Sequence, residues 1–555
     1  MGPFFIILLV LIFPFKSQAV NWDEGVKVPL TGRANIYELP QEEFVLKVKK
    51  GQVHAGRYPV SVTGILLPEE PLQGILDNTT FNPIRGVVNE IFKNFAEVES
   101  FKDLFEWLGL LEYPKDSDPE EFQIAYPDGV RPDYLLGYSR VEHKGVKAFT
   151  MSCATCHSGN LFGQTVLGMS KRFPKANEFF IRGYNAIGVY DSFLFQNYTG
   201  ASDVEVKMLD RSVENLKSVG FRKPLVLGLD TSLAQVALSL NKREDDQWAT
   251  KSKYFENNPR PDFLDTKPGD SKPAVWWNLK YKNRWLSDGS VVSGNPVYTN
   301  ILWNEIGRGV DLKELEIWLD ENPETIKELT AMVFAAKAPR IEQFFPAERI
   351  LEERALKGEV VYNQACSKCH GVYVKNWSQA EYKNSPWSER IKTFEVRYSE
   401  KTPVTDVGTD PYRYLSMKSL EQLNKLKISK KNGVKVTAQK GYVPPPLVGI
   451  WARWPYMHNN SIPNLCALLT PSEYRPTAYY AGPAIDKEKD FDFDCNGYPL
   501  WSETPKKWHT KEMLYQAEKK GMSKEGHDEG IFTKNGESLL SSEDIHNLIQ
   551  FLQTL

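Results

Sequence analysis

Apolar positions in the second half of the chain predict two amphipathic helices. Between residues 346 and 363 they recur at helical spacing, at Ile350, Leu351, Leu356, Val360 and Val361. The end of the chain repeats the pattern after an N-cap and an acidic first turn at Ser541, Ser542, Glu543 and Asp544. There the apolar positions are Ile545, Leu548, Ile549 and Leu552.

The first half has a less regular pattern. Helical spacing is visible at residues 83 to 111, whereas turn residues are frequent elsewhere before residue 140. Residues 147 to 152 are typical of an extended segment rather than a helix. We predict that residues 20–140 form an N-terminal extension, to which the sequence pattern assigns no chemistry.

The first residues predict export. Residues 4 to 13 are continuously apolar and are followed by Lys16 and a small-residue cleavage site that ends at Ala19. This apolar stretch is shorter than the roughly 20 residues that span a bilayer. We therefore predict a signal peptide at residues 1–19, a periplasmic or secreted protein, and no membrane span after cleavage. An uncleaved anchor is the alternative.

The charge of the chain is informative in one segment only. The formal net charge is −3, which gives no basic field for nucleic acid. Six lysines lie between residues 425 and 440. We favour a solvated surface loop for this segment, and the alternative is a docking patch for an acidic redox partner.

The chemistry lies in a pentapeptide, C-x-x-C-H, that occurs twice. It stands at Cys153, Cys156 and His157, and again at Cys366, Cys369 and His370. This is the attachment signature of haem c, in which both sulfurs bind the macrocycle and the histidine ligates iron. By composition, one chance match has a probability on the order of 10^-3. We predict two covalently attached haem c groups with His157 and His370 as iron ligands.

Two other uses of these cysteines are poorly supported. A zinc site needs its Cys pairs roughly 15–20 residues apart, and about two hundred residues separate Cys156 from Cys366. A thioredoxin-like pair does not need the following histidine. The remaining cysteines, Cys466 and Cys495, predict a disulfide in an oxidising compartment, with two separate buried thiols as the alternative.

The remaining axial ligands stay open at this point. Candidates for the second haem are His527, His458 and Met457, whereas His509 and His546 are typical of surface residues. Candidates for the first haem are His54, His143, Met151 and Met169.

Resemblance to a known family makes the predicted fold and domain organisation more specific. A helix before C-x-x-C-H and a terminal helix resemble the cytochrome c fold, in which those helices cross. Residues 453 to 469, R-W-P-Y-M-H-N-N-S-I-P-N-L-C-A-L-L, resemble the A-P-Y-x-H-N-G-S-V-P-T-L segment of bacterial di-haem cytochrome c peroxidases, most closely the rubber oxygenase branch. The fold implied is mainly α, with a first haem domain at residues 141–345, a second cytochrome c-like haem domain at residues 346–555, and long irregular insertions.

The resemblance also implies roles for individual residues. In that branch a glycine-flanked histidine before the final helix ligates the second haem, and Gly526-His527 resembles it. A tryptophan between the haems implies Trp277, with Trp276 beside it and Trp285 in reserve. An open first haem is implied, as is a buried cation near the propionates, for which Arg453 and Arg284 are candidates. No methionine lies between Asn459 and Lys511, which departs from the peroxidases and favours bis-histidine ligation.

Two functions follow from these predictions. The first is a haem-dependent oxidoreductase of peroxidase or dioxygenase type, in which His157 and Trp277 serve catalysis. It would use peroxide, dioxygen or an organic substrate, together with a redox partner protein or a small electron donor. The alternative is a non-catalytic di-haem electron-transfer cytochrome.

Overall fold

The computed structural model describes residues 20–77, 90, 100–188 and 190–555, and it is about 43% helical. The predicted signal peptide and most of the helical pattern at residues 83 to 111 lie outside these ranges. Described α-helices cover Gln41–Gly56, Glu69–Asp77, Phe101–Trp107, Ala176–Ile187, Ser192–Thr199, Asp203–Lys217, Ser232–Asn241, Lys253–Asn257, Pro296–Ile306, Leu312–Glu321, Pro323–Ala335, Glu352–Ala365, Ser367–His370, Trp387–Arg390, Tyr412–Ser416, Lys427–Lys431, Leu465–Leu469 and Ser542–Gln553.

The strands are short and pair antiparallel. Tyr138–His143 pairs with Val146–Met151, which also pairs with Leu67–Pro68, so the approach to the first C-x-x-C-H motif is extended as predicted. The other pairs are Ser158–Leu161 with Gln164–Leu167, Val291–Ser293 with Lys435–Val436, Val372–Lys375 with Thr393–Arg397, Ala478–Tyr480 with Leu514–Gln516, and Thr533–Lys534 with Glu537–Ser538.

Both helices predicted in the second half are confirmed, at Glu352–Ala365 and Ser542–Gln553. They cross at Gly358, where an added Cβ would collide with the Asn547 carbonyl and the Phe551 side chain. The terminal helix buries its predicted apolar residues Leu548, Ile549 and Leu552.

The predicted apolar face of the first of these helices is only partly confirmed. Ile350 and the adjacent Tyr362 are buried, and Val361 packs against the core. Leu351, Leu356 and Val360 are exposed, and the small residues Ala355 and Gly358 are buried instead. The reason is the close crossing, since two helices whose backbones touch need small residues at the contact.

The lysine-rich segment is anchored rather than free. Its Leu426, Ile428 and Val436 are buried in a hydrophobic cluster that also contains Trp303 and Phe334 from before residue 345. Most of its lysines pair with carboxylates, in the pairs Lys425–Asp245, Lys427–Glu316, Lys431–Asp320, Lys435–Glu24 and Lys440–Asp406. All six lysines are exposed, as the preferred interpretation of a solvated surface segment predicts, whereas the apolar residues between them complete a core.

The second large cluster also joins both sides of residue 345, since Trp277 and Val275 pack in it with residues such as Trp454 and Leu548. The proposed domain boundaries stay a prediction. Cys466 and Cys495 form the predicted disulfide. None of the helices in the described ranges has the length and apolar character that a membrane span requires.

Candidate haem-binding cavity

Both C-x-x-C-H motifs open onto one cavity of about 1600 Å³. Its wall includes all four motif cysteines, both motif histidines and His527. A site for one drug-sized ligand usually measures roughly 300–1,000 Å³. The cavity therefore has room for more than one large cofactor.

The first motif begins where the strand Val146–Met151 ends. Cys153–Thr155 turns as a 3-10 helix, and both cysteines are free thiols. His157 Nδ1 lies 3.0 Å from Ala274 O, so its N–H donates to that carbonyl and leaves Nε2 free. Desolvation lowers the pKa of His157 to about 4, which keeps the imidazole neutral, as a metal ligand must be.

The second motif follows directly on the helix Glu352–Ala365. Cys366 ends that helix, and a short helix, Ser367–His370, presents the histidine. His370 Nδ1 lies 2.8 Å from Pro445 O, the same arrangement as at the first motif. Desolvation again lowers the pKa of the histidine. Both motif histidines are thus oriented by a backbone carbonyl, which is the usual outer partner of an imidazole that ligates a metal.

His527 lies opposite His370 across the cavity. Their rings are nearly parallel, at 15°, and the ring centres are 6.4 Å apart. Two imidazoles that share one metal ion at roughly 2 Å each place their ring centres roughly 6 Å apart. Desolvation lowers the pKa of His527 to about 3, and His370 adds to the effect. The pair has the spacing that bis-histidine ligation of a haem iron requires.

The competing candidates for the second haem make other contacts. His458 Nε2 lies 3.0 Å from the Tyr442 hydroxyl, and the two rings stack with centres 4.1 Å apart. Met457 lines the cavity beside it. His509 stacks on Tyr480, and neither His509 nor His546 lines the cavity.

Three of the four candidates for the first haem's remaining ligand lie away from the cavity. His54 bonds to Glu328 at 3.0 Å, His143 ends the strand Tyr138–His143, and Met169 packs beside Gly159. Met151 does line the cavity, next to Cys153. Among the described lining residues, the histidines besides the two motif histidines are His458 and His527.

Apart from the exposed Lys368, three cations on the cavity wall lack a carboxylate partner among the described residues. Lys272, Lys282 and Arg453 line the cavity, and none forms a salt bridge with an acidic side chain of the described residues. Desolvation, reinforced by Arg453, lowers the pKa of Lys282 to about 7 and that of Lys272 well below its usual value. Such a cluster suits the carboxylates of haem. Of the two predicted propionate partners, Arg453 is in this cluster, whereas Arg284 bonds to Gln439 elsewhere.

Sequence reasoning missed both lysines of this cluster. Lysine and arginine together number 68 in the chain, so a single lysine outside a motif carries no signal. Only the fold brings Lys272 and Lys282 beside Arg453.

Trp277 links the two backbone segments that hold the motif histidines. It is fully buried, and its Nε1 donates to Val448 O at 2.9 Å. Asn278 makes a parallel bond from Nδ2 to Pro446 O at 3.0 Å. Trp276 instead packs against the His157 ring, with centres 5.3 Å apart. Trp285 bonds to Gly294 O and packs against Trp22 and Phe334.

The residues present therefore fit haem c. Paired thiols, neutral histidines with oriented rings, unpaired cations and a cavity of sufficient size meet in one place. This combination of residues is typical of a protein that binds haem c.

Comparison with known proteins agrees with this class. Residues 441–480 match the family model described as "RoxA-like, cytochrome c-like". The match supports a relationship with RoxA-like di-haem cytochromes and implies covalently bound haem c. It contains Pro445, Arg453 and His458, which belong to the cavity wall.

A second similarity covers a short stretch. The chain is 36% identical over 78 residues to the uncharacterised protein y4iJ of Sinorhizobium fredii. That stretch is 14% of this chain and 12% of the other protein, so the chain spans a small part of that relative's length.

Proposed function

We propose that the protein is an exported di-haem c-type cytochrome that acts as an oxidoreductase of peroxidase or oxygenase type. Cys153, Cys156 and His157 would hold the first haem, and Cys366, Cys369, His370 and His527 the second. The iron of such haems supplies one-electron chemistry and, where an axial position is open, the binding of peroxide or dioxygen.

One observation carries the proposal, namely the unequal surroundings of the two motif histidines. His370 has His527 at the spacing of a shared metal ion. His157 has no such partner among the described lining residues, because His458 is bonded to Tyr442. A closed second haem suits electron transfer, and an open first haem suits a substrate.

The side chains would divide the work accordingly. Ala274 O and Pro445 O keep the Nδ1 proton on His157 and His370, so that Nε2 faces the cofactor. Lys272, Lys282 and Arg453 would neutralise the propionates. Trp277 would couple the two centres, since its Nε1 bond to Val448 joins the segment of Ala274 to the segment of Pro445.

The match to a cytochrome c-like family suggests an exported protein. An electron donor or acceptor, whether a protein or a small molecule, is needed by either type of reaction. The lysine-rich segment is a weaker candidate for docking than its sequence indicates, because most of its lysines are already paired with carboxylates.

Carbon monoxide difference spectra of the exported holoprotein test the proposal. Haem content should be two per chain, and dithionite-reduced protein should show a shift in part of its Soret band. His157→Ala should displace that shift in wavelength, because carbon monoxide would then bind a haem that lacks the His157 imidazole, and a His143→Ala control should keep it unchanged. No shift in the unaltered protein would favour the non-catalytic electron carrier.

A further inference from the structure

The loop that carries His527 has an unusual backbone. Gly526 and His527 both have positive φ, of 108° and 61°. A Cβ at Gly526 would lie 2.8 Å from the Thr409 hydroxyl oxygen, so this loop rests closely on residues 407 to 409. The His527 N–H donates to Val407 O at 3.0 Å. A non-glycine residue in the left-handed region is strained, and the surrounding structure must hold it there.

One arginine makes most of the contacts that hold the other side of this loop. Arg475 Nη1 donates to Lys524 O at 2.6 Å and to Gly526 O at 2.8 Å. Its Nε donates to Thr470 O at 2.9 Å, and its Nη2 donates to Leu468 O at 3.1 Å. The guanidinium therefore ties the loop before His527 to the end of the helix Leu465–Leu469.

The four hydrogen bonds from Arg475 to backbone carbonyls form a clamp on this loop, and the burial of the side chain makes the clamp specific for a guanidinium. The Arg475 side chain is 0% exposed, and its nearest carboxylate, that of Asp528, is 3.7 Å away. Asp528 itself accepts bonds from the N–H groups of Ser472 and Gly526. A buried charge is retained only where its donors are satisfied, and the five donors of a guanidinium in a fixed fork suit a set of carbonyls.

We propose that Arg475 is a positioning residue that keeps His527 on the second haem iron. The inference rests on the proposed role of His527 and goes beyond it, since it names the group that decides whether this ligand stays bound. Loss of the clamp frees the loop to relax its positive-φ residues, and His527 then leaves the site opposite His370.

Arg475→Met tests this in the holoprotein. We expect at least a tenfold increase in the fraction of second haem that is high-spin by electron paramagnetic resonance, and binding of carbon monoxide at that haem. Arg475→Lys keeps the positive charge but lacks the forked set of N–H donors, so we expect a smaller increase in the high-spin fraction. Arg243→Met is the matched control, because Arg243 is equally buried and bonds to the carbonyls of Ala249 and Val310 away from the cavity.

The outcomes separate this inference from the proposed function. If His527→Ala makes the second haem high-spin but both Arg475 variants stay low-spin, the positioning role of Arg475 is wrong and the assignment of His527 as a ligand is supported. If His527→Ala leaves the second haem low-spin, the ligand assignment itself is wrong. If Arg243→Met produces the same spin change as Arg475→Met, general destabilisation explains the effect and the inference is overturned.

Discussion

The two motif histidines have the same kind of hydrogen-bond partner, but different groups lie opposite their rings. Each donates from Nδ1 to a backbone carbonyl, Ala274 for His157 and Pro445 for His370. Within the described part of the chain, His370 alone of the two has a second imidazole nearly parallel to it, with ring centres 6.4 Å apart. The proximal side is thus the common part of the two sites, and the opposite side is where they diverge.

This difference shows that an attachment motif specifies binding but leaves reactivity open. Reactivity depends on which group reaches the far side of the iron. For the second haem we propose that this group is His527, which lies on a distant loop. In the second half the loop is locked by Arg475 and by the Val407 carbonyl. The difference between the two halves can be tested through the spin state of each haem, the stability of helix packing and the midpoint potential of each haem.

Removal of His527 should have the largest effect. In His527→Ala the second haem loses its only imidazole at metal-sharing distance among the described residues, so the two sites should become alike. We expect conversion of that haem to high spin and a doubling of the carbon monoxide-sensitive Soret change.

His458→Ala is the matched control for this substitution. His458 also lines the cavity, but it stacks on Tyr442. Its loss should leave the spin state of both haems unchanged. A high-spin second haem in His458→Ala alone would show that the ligand was assigned to the wrong histidine.

Local signals explain which parts of this site were predictable from the sequence. The C-x-x-C-H motifs and the terminal helix are encoded in short spacings, whereas the Cys466–Cys495 disulfide is predicted from the two cysteines that the motifs leave over. The structure contains the terminal helix and the disulfide as expected. Resemblance, rather than spacing, pointed to His527. Lys272, Lys282 and Arg475 carry no local pattern, because only the packing of distant segments removes them from water.

Packing of the helices offers a second comparison between the halves. Gly358 lies where the helix Glu352–Ala365 crosses the terminal helix, whereas Gly183, in the helix Ala176–Ile187, has no atom within 4 Å of an added Cβ. Gly358→Ala should lower the free energy of unfolding by about 1–3 kcal/mol through overpacking.

Gly183→Ala should instead raise the free energy of unfolding by up to about 1 kcal/mol, because alanine is the better helix former. Thermal and denaturant unfolding of the two holoprotein variants would measure the contrast. Equal stabilisation by both substitutions would mean that the crossing at Gly358 is looser than described.

The smallest expected effect concerns the link between the two proximal segments. Pro446 O accepts bonds from Asn278 at 3.0 Å and from Arg453 at 3.1 Å, next to the Pro445 carbonyl that holds His370. Asn278→Leu keeps the size of the side chain but removes one bond. The Pro445 segment should then loosen, the His370 N–H bond should weaken, and the imidazole should become a poorer donor to iron.

A poorer donor favours the reduced metal, so the midpoint potential of the second haem should rise. We expect a change of up to about tenfold in its reduction equilibrium, or about 59 mV for one electron, measured by spectroelectrochemistry. The midpoint potential of the first haem should change less. The Ala274 carbonyl that holds His157 lies next to a backbone hydrogen bond from Trp276 N–H to Gly168 O, and Asn278 takes no part in that bond.

Asn376→Leu is the control, because it removes a similar buried bond, to Glu389 O at 2.9 Å. This substitution should leave both potentials unchanged. Equal shifts at both haems after Asn278→Leu would mean that the two proximal segments respond as one unit, and that the halves differ only on their distal sides.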